Sequence, residues 1–232
     1  MTVRVLVVDD MSAVRVGIRM ILDPAAGIEV VGEAADGAMA VEMARRLDVD
    51  VALMDVRMPG TDGLTATRMI VGEGLCEVLM LTTFGIDEYV MAALRAGAAG
   101  FLLKTTPADR LVEAVHSVAR GDGVLSPEVT RELLRTFSDS SAMVGAPAGV
   151  ADLTGRECEV LACLGRGLSN ADIACDLYIT ETTVKSHVSR VMAKIGVRSR
   201  LQAAVIARQI APTCPAVSEA ADRAEPVPVP QE

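Results

Sequence analysis

Between residues 3 and 121 the chain alternates five times between a short apolar run and a stretch whose apolar residues recur every three or four positions. That alternation is the strongest constraint in the sequence. The runs Val3–Val8, Ile28–Gly32, Val51–Met54, Glu77–Leu81 and Gly100–Leu103 read as buried strands. Between them lie helical periods. Ser12 leads Val14, Ile18, Ile21 and Leu22, and Asp36-Gly37 precedes Ala38, Val41, Ala44 and Leu47. Leu64–Val71, Tyr89–Arg95 and the stretch from Pro107, placed at the first helical position, to Gly121 complete the series. Strands that alternate with helices predict a doubly wound α/β fold, with one parallel five-stranded sheet covered on both faces. Right-handed crossovers then bring the carboxyl ends of the strands to one edge, where such folds bind ligands.

The texture changes after residue 121. Pro127–Phe137 has the apolar spacing of one helix, and Ser138–Ala151 is rich in Ser, Ala, Gly and Pro, as linkers are. From Asp152 to about Ile210 four short helical periods follow without a strand pattern. Residues 211–232 carry a PVPVP run and acids and read as a disordered tail. The expected organisation is therefore an α/β domain over 1–121, a linker with a possible helix over 122–151, an all-α domain over 152–210, and the tail.

Composition removes several classes of function. Apolar residues make up 51% and mean hydropathy is +0.38, yet no apolar run approaches the roughly 18 residues of a membrane helix. The start, MTVRVLVVDD, lacks a signal-peptide layout. Five cysteines without a C-x-x-C and two histidines argue against a disulfide framework and a zinc site. They fit small core residues in a reducing cytoplasm, with Cys214 in the tail as the exception. The net charge of −9 is uneven. Residues 1–125 hold 18 Asp+Glu against 11 Lys+Arg, whereas 152–210 hold 8 Lys+Arg against 6 Asp+Glu. An acidic total argues against nucleic acid, but the helical segment must be judged by itself.

Five polar residues fall at the predicted strand ends: Asp9 and Asp10, Asp55, Thr82 and Lys104. An isolated strand-end aspartate is ordinarily a cap or turn residue, and an isolated lysine an ordinary solvated side chain. All five on one sheet edge form a pattern. Three carboxylates together stay ionised only beside a cation, and an all-oxygen set suits Mg²⁺. Such a set permits attack by one carboxylate on a phosphoryl group, with Lys104 offsetting charge and Thr82 donating a hydrogen bond.

VLVVDD, LMDVRMPGTDG, LMLTTFG and AGAAGFLLKT resemble the receiver domain of bacterial two-component response regulators over residues 1–121. The resemblance implies that Asp55 takes a phosphoryl group from a sensor histidine kinase. It implies that Asp9, Asp10, Asp55 and the Arg57 backbone carbonyl hold Mg²⁺, and that Thr82 and Lys104 bind the phosphoryl group. It makes Phe101 an aromatic switch residue moving with Thr82, beside the Thr83–Gly85 loop. A haloacid-dehalogenase-type phosphatase also uses a strand-end aspartate and Mg²⁺, but wants a second aspartate where Arg57 stands. A flavodoxin-like flavin binder is opposed by the acidic loop after the first strand, and a receiver that signals without phosphate by the complete acceptor set.

In the helical segment, Thr154 with Glu157 forms a capping-box pattern, and Ser169 and Thr180 are further candidate N-caps. Two short helices joined by a turn at Tyr178-Ile179 fit a helix-turn-helix. The second carries Val184, Val188, Val191 and Ile195 on one stripe and a polar, basic face elsewhere. Lys185 suits guanine acceptors in the major groove, and Ser186 and Ser189 suit bases or phosphates. Thr182, Thr183, Arg190 and Lys194 suit phosphate positioning. His187 is equally consistent with phosphate contact or helix packing. GLSNADIA and ITETTVKSHVSRVMAKIGVRSR resemble the LuxR-type output domain of NarL/FixJ-like response regulators over residues 152–208, with Cys175 where a polar residue is expected. This implies recognition helix Thr180–Lys194, promoter DNA as partner, and dimerisation through about Ser199–Gln209, near Leu201, Val205 and Arg208. The whole reads as a cytoplasmic, non-enzymatic transcription regulator that dimerises when phosphorylated.

Overall fold

Val3–Val8 (β1), all but one of its residues buried, is an interior strand of a parallel sheet in a computed structural model that describes residues 2–83, 86–125 and 148–210. Around it lie Ser12–Leu22 (α1), Ile28–Ala34 (β2), Gly37–Arg46 (α2), Val51–Asp55 (β3), Gly63–Gly72 (α3) and Glu77–Thr82 (β4). Ile86–Ala96 (α4), Gly100–Leu103 (β5), Ala108–Ala119 (α5) and Val124–Leu125 (β6) complete the unit. The strand order is β2-β1-β3-β4-β5-β6, and every pairing is parallel. The order reverses between β1 and β3, which opens a crevice at their carboxyl ends.

The pleat sorts the core. Val5, Val7, Val51, Leu53, Leu79, Leu81 and Leu102 pack with Ile18, Leu22, Leu111, Val115 and Val118, so this face of the sheet lies under α1 and α5. Alternate strand residues point to the other face. There the Thr67 hydroxyl of α3 donates to the Met80 sulfur at 3.2 Å. Asp36 and Asp62 start α2 and α3 by accepting from the Met39 and Thr65 amides at 2.8 and 2.7 Å.

Two local expectations change. Pro107 is the N-cap of α5, one position earlier than expected, because its φ of −54° is joined to an extended ψ of 147°. The sheet has a sixth strand: a turn at Gly121 brings Val124 beside Gly100, covering the outer edge of β5.

The chain divides into two compact units, Met1–Ala142 and Met143–Glu232. In the second, a 3₁₀ turn at Ala148–Asp152 precedes four helices: Gly155–Gly165 (α6), Asn170–Asp176 (α7), Glu181–Ile195 (α8) and Arg200–Ile210 (α9). They enclose Val160, Leu161, Leu164, Ile173, Val184, Val188, Val191, Ala203 and Ala207. Thr154 and Glu157 form the expected capping box, Ser169 and Asp172 form a second, and Thr180 caps α8. Gly149 lies so close to the Lys194 carbonyl that a Cβ there would overlap it, which packs the entering chain onto the end of α8.

Cys158 and Cys163 are buried as expected, whereas Cys175 is exposed because it lies on the outer side of α7. The expected helix at Pro127–Phe137, residues 138–147 of the linker, Gly85, Cys214 and the tail fall outside the described residues.

Candidate functional site: a strand-end acidic pocket and a helix-turn-helix

β1 and β3 end side by side, with Val8 paired to Met54, so Asp9 and Asp55 leave the sheet together. Carboxylate oxygens of Asp9, Asp10 and Asp55 all lie within 4.8 Å of one another. Asp9 is 1% and Asp55 7% exposed, while Asp10 faces solvent. From the end of β5, Lys104 places its ammonium 2.5 Å from Asp9 Oδ2 and 3.1 Å from Asp55 Oδ1. Its amide donates to the Thr82 carbonyl at 2.7 Å, tying the ends of β4 and β5. Thr82 and Phe101 are both buried. Phe101 of β5, the strand that leads into Lys104, pairs with Met80.

The β3–α3 loop is set by Gly63. Its amide donates to the Val56 carbonyl at 3.1 Å, and a Cβ would overlap the Asp55 carbonyl. The loop begins directly after Asp55, the last residue of β3, and carries the exposed Arg57. Burial raises the Asp55 carboxyl above its ordinary value and Lys104 pulls it back, while the neighbouring Asp9 charge adds to the rise. Asp9 Oδ2 is buried and is met by the Lys104 ammonium without hydrogen-bond geometry. A buried carboxylate oxygen with no hydrogen bond, beside two further carboxylates, is a donor set that fits a hard divalent cation.

One contributor has no motif. Arg15 reaches back from α1 and donates to the Asp9 carbonyl at 2.7 Å. The sequence signal was a cation in the first turn of a helix, where the helix dipole disfavours it.

In the second unit, α7 and α8 are joined through Leu177, Tyr178 and Ile179. Tyr178 takes a left-handed φ of 53° and is 95% exposed. On α8, Val184, Val188, Val191 and Ile195 are buried, which turns Thr182, Lys185, Ser186, Ser189 and Arg190 outward. The Thr183 hydroxyl pairs with Thr180 at 2.9 Å, and Ser186 donates to the Thr182 carbonyl at 3.1 Å. His187 is half-buried, with Nδ1 buried and without a hydrogen-bond partner. Lys194 is outward in sequence pattern, but its ammonium is held within the unit, 2.7 Å from Glu157 and 3.0 Å from the Asp152 carbonyl. The periodicity of α8 could not reveal this, because Glu157 belongs to another helix.

A parallel α/β unit with an acidic, lysine-bridged strand-end pocket, followed by a helix-turn-helix unit, defines a DNA-binding response regulator. Residues 5–116 match the response regulator receiver domain, and residues 151–207 match the bacterial regulatory proteins of the luxR family. The chain is 42% identical over 209 residues to transcriptional regulatory protein LnrK of Bacillus subtilis, across 88% of this chain and 95% of that one. It is 40% identical over 210 residues to response regulator protein VraR of Staphylococcus aureus, across 90% and 98%. The crystal structure of the response regulator ChrA, from a heme-sensing two-component system, aligns with a TM-score of 0.52 at 39% identity, across 90% of this chain and 97% of that one. The chain belongs to the response regulators that join a receiver domain to a LuxR-type DNA-binding domain. Among the described residues no helix is long and apolar enough to cross a membrane.

Proposed function

We propose that Asp55 accepts a phosphoryl group from a sensor histidine kinase and that the phosphorylated chain binds promoter DNA as a homodimer. The observation that carries this reading is the Lys104 ammonium, 2.5 Å from Asp9 and 3.1 Å from Asp55, in a pocket where a third carboxylate converges. In the transfer, an Asp55 carboxylate oxygen bonds to phosphorus, the bond from phosphorus to the kinase histidine breaks, and the histidine nitrogen keeps the electron pair. Asp9, Asp10, Asp55 and the Arg57 carbonyl would hold Mg²⁺, which would supply positive charge against the phosphoryl oxygens. Lys104 exchanges a carboxylate partner for a phosphoryl oxygen, and the Thr82 hydroxyl donates to another. Thr82 and Phe101 shift together and carry the change to the receiver surface. The phosphoryl group ends on the chain itself, so the protein acts as a switch in the cytoplasm and not as an enzyme.

On the DNA side, Lys185 reads guanine in the major groove, with Ser186 and Ser189 at bases or phosphates. Thr182, Thr183, Arg190 and His187 position the backbone. Lys194 leaves that set, because its ammonium already serves Glu157 and Asp152. The receiver spans 1–121 and the DNA-binding domain 152–210. The second domain dimerises near Leu201, Val205 and Arg208 and so presents two recognition helices to two half-sites.

Intact mass after incubation with Mg²⁺ and acetyl phosphate tests the reading. Wild type is expected to gain one phosphoryl group and Asp55→Asn none. Equal gain by both would remove Asp55 as the acceptor.

A further inference from the structure

Arg15 stands where a helix least favours a cation. It lies in the first turn of α1, which has no acidic residue there and no side-chain cap. A lysine or arginine at that position ordinarily extends into solvent. Arg15 instead folds back over the helix start, and its side chain is only 17% exposed. Nη1 donates to the Asp9 carbonyl at 2.7 Å, and Nε donates to Glu33 Oε2 at 3.1 Å. Glu33 sits on β2 opposite Val7 of β1, so the sheet register fixes the anchor point. The other Glu33 oxygen accepts from Arg19 at 3.2 Å, and Arg19 in turn pairs with Asp23.

This contact completes the assignment of Asp9. Its amide donates to the Ala34 carbonyl at 3.1 Å, and its Oδ1 accepts from the Met11 amide at 3.0 Å. Its Oδ2 faces Lys104, and its carbonyl is held by Arg15. Asp9 and Asp10 both follow β1 directly, so the orientation of that carbonyl sets the turn that presents both carboxylates. Without Arg15 the Asp9 carbonyl loses its donor at a residue only 1% exposed, and the turn is free to rotate.

We infer that Arg15, anchored by Glu33, is a positioning residue for the acidic pocket, holding Asp9 and Asp10 in the geometry that binds a divalent cation. This rests on the proposed reading of the pocket as a Mg²⁺ site. Groups behind metal-binding carboxylates commonly change metal affinity by about 10- to 100-fold when removed. Arg19 supplies an internal control. It shares Glu33 and the same helix but has no hydrogen bond to Asp9.

The experiment is calorimetric titration of the full chain with Mg²⁺ alone, together with the Mg²⁺ dependence of phosphorylation by acetyl phosphate. Arg15→Met is expected to weaken Mg²⁺ binding about tenfold. It should raise the Mg²⁺ half-saturation of phosphorylation by the same factor and leave the rate at saturating Mg²⁺ unchanged. Arg19→Met is expected to match wild type in both. Arg15→Lys keeps a donor near Asp9 without the fork that joins it to Glu33, and should fall between. It also serves if Arg15→Met does not fold. Equal Mg²⁺ affinity in wild type and the Arg15 variants would overturn the inference while leaving the pocket reading intact, as would equal losses in Arg15→Met and Arg19→Met. Absence of Mg²⁺ binding by wild type would overturn both.

Discussion

Lys194, near the end of the recognition helix, donates to Glu157 Oε2 at 2.7 Å, and the same oxygen accepts the Thr154 amide at 2.8 Å. One buried carboxylate therefore caps α6 and anchors α8. Lys194 and the Thr154 amide hold the Glu157 carboxyl well below its ordinary value of 4.5, at about 2. A carboxyl lowered in the folded state stabilises the fold fully above its unfolded value and loses that contribution as pH falls through the folded one. Wild type should therefore lose stability relative to Glu157→Gln between about pH 4.5 and 2, as read by thermal melts of both across that range. Parallel curves would show that Glu157 makes no such contribution.

The same pair yields a prediction for DNA. A lysine that contacts phosphate contributes about one unit to the salt slope of binding. Lys194→Met is expected to weaken DNA binding with the slope unchanged, because the loss acts through the angle of α8. Glu157→Gln is expected to weaken it too, although removing a negative charge would by itself favour DNA. Binding isotherms at several salt concentrations decide this, and a slope reduced by about one would return Lys194 to the phosphate contacts.

Lys185→Ala is expected to reduce specific affinity by about 1–3 kcal/mol and to relax the preference at one base pair. Arg190→Ala should weaken specific and non-specific DNA alike and lower the salt slope by about one. Competition binding with single-base variants of a target site separates the two.

In the pocket, burial raises the Asp55 carboxyl, so ionised Asp55 costs the fold stability, and that cost is complete above the raised value. At neutral pH, Asp55→Asn should therefore have a higher Tm than wild type in the absence of divalent cation. Adding Mg²⁺ should stabilise wild type by about 1.4 kcal/mol at ten times its Kd, and Asp9→Asn far less. An identical Mg²⁺ response in both would sink the assignment of Asp9 as a ligand.

Gly63→Ala places a methyl group against the Asp55 carbonyl. Forced overlap of this kind costs about 1–3 kcal/mol. Since the displaced group is the backbone of the acceptor residue, phosphorylation should slow along with the loss of stability. Denaturant unfolding and the rate of mass gain with acetyl phosphate measure the two effects.

Much of this was legible along the chain. The five strand–helix repeats, the caps at Thr154, Ser169 and Thr180, and the apolar stripe of α8 each depend on residues within one strand or one helical turn. The convergence of Asp9, Asp55 and Lys104 was legible one step removed, because parallel strands with right-handed crossovers leave their carboxyl ends on one edge. The positions of Phe101 and His187 were less so: periodicity places each on an element, but not how deeply its ring is covered.

The sequence by itself determined the two folds, their order in the chain and the polar residues presented at the strand ends and on the recognition helix, because local periodicity and capping chemistry are properties of neighbouring residues. The tertiary structure alone decided which partners those residues take. Lys194 reads as a phosphate contact until α6, 37 positions away, brings Glu157 beneath it. Arg15 belongs to no motif, and its role shows only where the β1–β2 register brings Glu33 beside it. Val124 reads as linker until a turn lays it against the edge of β5. Each of these contacts joins elements whose meeting depends on the packing of the whole unit, and no local pattern encodes it.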